Sequence, residues 1–229
     1  MRHERILIRQ VRNMRRMAIC SFRDWGGGEF NALLGLRNLL LVVIIAAVSF
    51  FFRTACQKIY ALSEGYNSTF RLWYPGIGIA LVLSFITFGN VPLVLIGCMC
   101  NAFNIKLRLG EFRHAFSYFH NAMTSFWGIM GNLIMAILFS IGVYFFPQNY
   151  FFGKGVILNL IMAAGGMIPL PQLDGLNIFF GSRVLYFFGW VLVVLAAVLL
   201  LSKTGWGLAI AIILSLLYGG IYLLIGSEK

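Results

Sequence analysis

Asp174 sits in an apolar stretch behind two prolines, in the run Met167-Ile168-Pro169-Leu170-Pro171-Gln172-Leu173-Asp174-Gly175. An ionisable side chain inside a membrane segment costs about 2.5–3.5 kcal/mol or more, so it needs a partner or a purpose. Pro169 and Pro171 each lack a backbone N–H and clash with a preceding carbonyl, so the helix is predicted to break there. Broken backbone at bilayer depth survives only where protein buries it or a cavity adjoins it. The competing reading is a turn at the membrane surface with a solvated Asp174. Asn132 and Asn159 also fall in apolar segments, where interhelical hydrogen bonds are the plain expectation. Gly128 and Gly131 precede Asn132 on the same predicted helix and suit close helix approach.

Other chemistry has little footing. No nucleotide-binding loop, redox motif or serine triad is apparent. Cys20, Cys56, Cys98 and Cys100 show no secreted disulfide spacing and are read as buried and reduced. Asn67-Ser68-Thr69 fits a glycosylation sequon, a short motif that matches by chance. His114 and His120 are six apart, which leaves them on different faces of a helix.

The elements that must position these residues are apolar. Hydrophobic residues make up 60% of the 229, charged ones only 11%, and mean hydropathy is +0.87. A soluble domain carries about 25% charged residues, so the solvent here is lipid. The expected fold is an all-α, polytopic membrane helix bundle with about six hydrophobic segments, at 39–52, 75–100, 122–146, 155–170, 184–201 and 208–225. Residues 29–229 form the membrane domain. Residues 1–28 form a basic amphipathic segment in which Arg9, Arg12, Arg15 and Arg16 lie away from an apolar face, as in helices that rest on anionic membranes. The partner read from that segment is the lipid bilayer rather than nucleic acid.

The run 166–175 resembles the Asn-x-x-Pro-x-Pro-x-Leu-Asp-Gly motif of the site-2 protease family, the intramembrane zinc metalloproteases. It matches at Pro169, Pro171, Leu173, Asp174 and Gly175, with Gly166 where Asn is usual. Trp127-Gly128-Ile129-Met130-Gly131-Asn132 is similar to the family's Ala-Gly-Pro-x-x-Asn segment without its Pro. Gly65-Tyr66 with Phe70-Arg71-Leu72-Trp73, and Gly181-Ser182-Arg183, resemble archaeal members. The likeness covers roughly residues 40–200 and implies an archaeal plasma-membrane protein.

The resemblance makes Asp174 the third zinc ligand and requires a His-Glu-x-x-His helix before Gly65-Tyr66. Two His at i and i+4 share a helix face and hold zinc, and the Glu activates its water. Counting back, those positions are Arg53-Thr54-Ala55-Cys56-Gln57. Arg cannot deprotonate to become a ligand, Gln is a poor imidazole substitute, and Thr54 cannot serve as base. The expected reading is a non-catalytic relative without a metal cofactor, a scaffold or regulator of transmembrane helices of other proteins, with Arg53 paired to Asp174. Two alternatives stand beside it: an active zinc protease with a relocated site drawn from His114, His120, Cys56 and Asp174, and a small transporter or channel built around broken helices.

Topology divides the expectations. Six full spans put Arg53 and Asp174 near opposite faces. A re-entrant hairpin at 75–100, turning near Phe88-Gly89-Asn90, puts them at one depth. The positive-inside rule leaves both open.

Overall fold

The computed structural model describes residues 32–87, 93–103, 117–202 and 207, 209–211 and 213. The basic segment with Arg9, Arg12, Arg15 and Arg16, the residues His3, Cys20, Glu111 and His114, and nearly all of the sixth segment lie outside the described residues.

The described chain is mostly helical. Helix α1 (Ala32–Ser63) leads to strand β1 (Tyr66–Leu72), helix α2 (Tyr74–Ile86) and strand β2 (Gly97–Phe103). Helices α3 (Tyr118–Phe145), α4 (Tyr150–Met167), α5 (Asp174–Gly181) and α6 (Arg183–Leu201) follow. Four of these, α1, α3, α4 and α6, are long and apolar enough to cross a membrane.

Burial along α1 shows how its sequence chooses a face. Asn38, Val42, Ile45, Ser49, Arg53, Gln57 and Tyr60 are buried. These recur every three or four residues, the spacing of one helix stripe. The intervening Leu36, Leu40, Val43, Ile44 and Phe51 are exposed, which is the normal state of a lipid-facing surface. Helix α3 is central, with Ala122 to Phe126 and Gly128 to Leu133 all buried. It packs on α1, α4 and α5.

Glycines set the helix separations. Gly131 lies against the backbone of Arg53, where an added Cβ would come within 3.3 Å of the Arg53 Cα. Gly128 lies against Gln57 one turn away. The pairing of 57 with 128 and 53 with 131 makes α1 and α3 antiparallel. The four-residue turn 146–149 reverses the chain again, and the Asn149 side chain caps α4 by accepting from the Phe151 N–H at 3.0 Å. That cap, and the burial of Lys154, start the fourth segment at Tyr150 rather than at 155.

At 75–100 the structure departs from the expectation of a full span. This stretch holds a 13-residue helix and then a strand, not a spanning helix. β1 and β2 pair antiparallel, with Tyr66 opposite Phe103 and Leu72 opposite Gly97, so the helical bundle carries one two-stranded ribbon among the described residues. The chain therefore leaves the bundle and returns at the same end. Gly65, at φ 77°, closes α1 in a left-handed turn. β1 then runs back beside α1, because the Phe70 ring meets Phe50 at 4.9 Å between centroids. Phe50 lies 13 residues before the end of α1, about 20 Å along the axis. Trp73, Leu95 and Leu173 form a small second core that ties this excursion to the segment before Asp174.

Candidate functional site

The break predicted at Pro169 and Pro171 is present. Helix α4 ends at Met167 and Ile168 is extended, the conformation a following proline imposes. Gln172 takes a positive φ of 61°, uncommon for a residue with a side chain. Pro169 and Pro171 are exposed, and Leu173 turns inward. Helix α5 then begins at Asp174, whose carboxylate gains from the positive end of the helix. Gly175 packs against the carbonyls of Met167 and Ile168, so no side chain fits there.

Asp174 is 1% exposed and faces α1. Arg53 Nη2 donates to its Oδ2 at 2.5 Å, and Gln57 Nε2 donates to the same oxygen at 2.9 Å. The Met99 backbone N–H of β2 reaches Oδ1 at 3.4 Å. Arg53 and Gln57 are four residues apart, so one face of α1 delivers both. Arg53 itself is 5% exposed, and its Nη1 also donates to the Met162 carbonyl of α4 at 3.3 Å. A buried carboxylate is thus matched by a guanidinium, an amide and a peptide N–H, the pairing that keeps a buried charge from being prohibitive.

Direct contact puts Arg53 and Asp174 at one depth, which excludes the arrangement with the two at opposite faces. Space for the guanidinium comes from Gly166. A Cβ at that position would stand 2.9 Å from Nη2 and 3.3 Å from Nη1 of Arg53. The two departures from the motif, Arg at 53 and Gly at 166, therefore fit each other sterically.

Thr54 turns away from this cluster. Its hydroxyl donates to the Phe50 and Phe51 carbonyls of its own helix at 3.0 and 2.9 Å. Asn159 is fully buried and joins α4 to α1 by donating to Ser49 Oγ at 2.9 Å, as well as to the Gly155 carbonyl. Asn132 is fully buried on α3, and neither atom of its amide meets a hydrogen-bond partner among the described residues.

Of the residues proposed for a relocated metal site, His114 lies outside the described residues, and Cys56, His120 and Asp174 do not converge. His120 lies 3.4 Å from Glu64 and beside Tyr66, at the end of α1. Among the described residues no group of three His, Cys, Asp or Glu side chains converges. Cys56, Cys98 and Cys100 are free thiols. A zinc ion does not fit the donors present: the carboxylate that would bind it is already held by a permanent cation and an amide.

Sequence reasoning missed four contributors. The Met99 N–H and Met162 carbonyl are backbone groups, which side-chain patterns cannot reveal. Gly166 contributes by leaving space. Ser49, at i−4 from Arg53, was open to detection from its spacing on α1. Comparison with protein-family models, curated proteins and solved structures gives no match.

Proposed function

We propose that this chain is a non-catalytic, site-2-protease-like membrane protein that engages transmembrane segments of other proteins as a scaffold or regulator. The observation that carries the reading is the three-way contact of Arg53 and Gln57 with Asp174. In the resembled family these two positions and the Asp would hold zinc together. Here the same geometry is closed by charge: the guanidinium takes the place of the metal's positive charge, and the amide fills the second ligand position. At the position of the family's Glu stands Thr54, whose hydroxyl is bonded back to its own helix. In this reading the bundle meets membrane helices of other proteins without activating water.

In this reading the β1–α2–β2 excursion re-enters the bilayer rather than spanning it. Helix α2 is about 20 Å long by its 13 residues, short of the roughly 30 Å hydrocarbon core. It carries no charged residue, and every residue but Gly76 stays at least partly exposed.

Metal analysis of purified protein tests the proposal. Zinc content well below one equivalent, unchanged by a chelator, is the expected result. One equivalent of zinc lost together with Arg53-independent proteolysis of a membrane substrate would overturn it. A complementary variant, Arg53→His with Thr54→Glu, Gln57→His and Gly166→Asn, should gain zinc affinity if the kinship holds.

A further inference from the structure

We propose that the interface of α1, α3 and α4 is a hydrated seam, with ordered water bound by Asn132, Gln57, Asn159 and the Nε of Arg53. The inference is independent of the non-catalytic reading, because it concerns side chains that do not complete their bonds with one another.

The seam is built on one face of α1. Ser49, Arg53 and Gln57 follow at i, i+4 and i+8, two turns of one stripe, and are 0%, 5% and 0% exposed. Asn159 of α4 is bonded to Ser49, and the Met162 carbonyl to Arg53, so α4 lines the same stretch. Gly131 touches the Arg53 backbone, which sets its neighbour Asn132 of α3 at the Arg53 level. Along this stretch five buried atoms meet no hydrogen-bond partner among the described residues: Arg53 Nε, Gln57 Oε1, both amide atoms of Asn132 and Asn159 Oδ1.

Each buried polar atom left unpaired is destabilising, and lipid offers nothing in exchange. The chemistry of the five atoms selects the ligand. Arg53 Nε and Asn132 Nδ2 donate, while Gln57 Oε1, Asn159 Oδ1 and Asn132 Oδ1 accept. The Gln57 assignment is fixed because its Nε2 must donate to the Asp174 carboxylate. The Asn159 assignment is fixed because its Nδ2 must donate to the Gly155 carbonyl. A metal cation wants acceptors alone and is repelled by the guanidinium. An anion wants donors alone and is repelled by Asp174. A ligand that both donates and accepts is required, and buried water commonly makes about three such bonds.

Two measurements on the full chain in lipid nanodiscs test this. In solid-state NMR with labelled Asn and Gln side chains, magnetisation transferred from water should reach the Asn132 amide, identified by its loss in Asn132→Ser. Asn132→Leu should lower the unfolding temperature, because it removes a satisfied amide. A dry seam gives the reverse, no transfer to that amide and a higher unfolding temperature on replacing an unsatisfied group with an apolar one, and either result overturns the proposal. Should Asn132→Leu not fold, the transfer to the wild-type amide decides alone.

Discussion

At the scale of single residues, Asp174 is the anchor and Arg53 its answer. Removing one member of a buried ion pair strands the other and costs about 3–5 kcal/mol. Arg53→Met is therefore expected to destabilise the protein by about that amount in thermal or denaturant unfolding. Asp174→Leu alone should cost a similar amount, since the guanidinium is then stranded. The double variant Arg53→Met with Asp174→Leu should recover most of the loss, because a paired apolar replacement leaves no lone charge. Additive losses in that cycle would show that the two charges are not coupled. Gly166 gives a sharper test. Gly166→Ala puts a Cβ within 2.9 Å of the guanidinium, and unfolding should show a loss of about 1–3 kcal/mol, the usual cost of overpacking. In an Arg53→Met background the same change should be nearly neutral.

Asp174 was legible in the sequence because two prolines announce a break and an acid in lipid demands a reason. Its pairing with Arg53 was legible only through the resemblance, which set residues 121 apart side by side. Gly166 was read as a departure from a motif. A glycine whose contribution is empty space leaves no chemical trace, so its connection to Arg53 needed coordinates.

At the scale of elements, the four long helices were readable from apolar length, and the α4–α5 break from its prolines. The ribbon was not. Gly97-Cys-Met-Cys-Asn-Ala-Phe103 has no β-branched residue and continues an apolar run, so it resembles the end of a span. It becomes a strand because β1 pairs with it across 24 intervening residues, from 73 to 96. Sequence periodicity cannot report a long-range pairing. The excursion it closes has a testable environment. A cysteine placed by Phe85→Cys, near the end of α2, should react slowly with a membrane-impermeant maleimide in intact vesicles added from either side. Gln148→Cys, in the exposed α3–α4 turn, should react quickly from one side. Labelling of Phe85→Cys as fast as that of Gln148→Cys would place α2 in water.

At the scale of the whole molecule, direction follows from contacts. α1 meets α3 antiparallel, and Ser49 with Asn159 and Arg53 with Met162 make α1 and α4 run the same way. The turn at 146–149 and the break at 168–173 therefore lie at opposite ends of the bundle. Cysteines introduced by Gln148→Cys and Gln172→Cys should be labelled by the impermeant reagent from opposite sides of the membrane. Labelling of both from one side would contradict a bundle in which α4 crosses the bilayer. The composition announced a membrane protein at this scale, and four helices meet the length and hydropathy it demands. How the charges divide between the two faces was undecidable from residue counts, because the ribbon changes which loops face which side.

Ser182 ends α5, and its hydroxyl accepts from the Leu185 N–H to begin α6 at Arg183. One residue thus stands where other helix pairs have a loop. A single extended residue joins the two helices, so the end of α5 and the start of α6 are held by the same backbone. Only seven residues, 175–181, separate Ser182 from the carboxylate at the far end of α5. Where α6 begins is thus set, through one short helix, by where the buried ion pair is anchored.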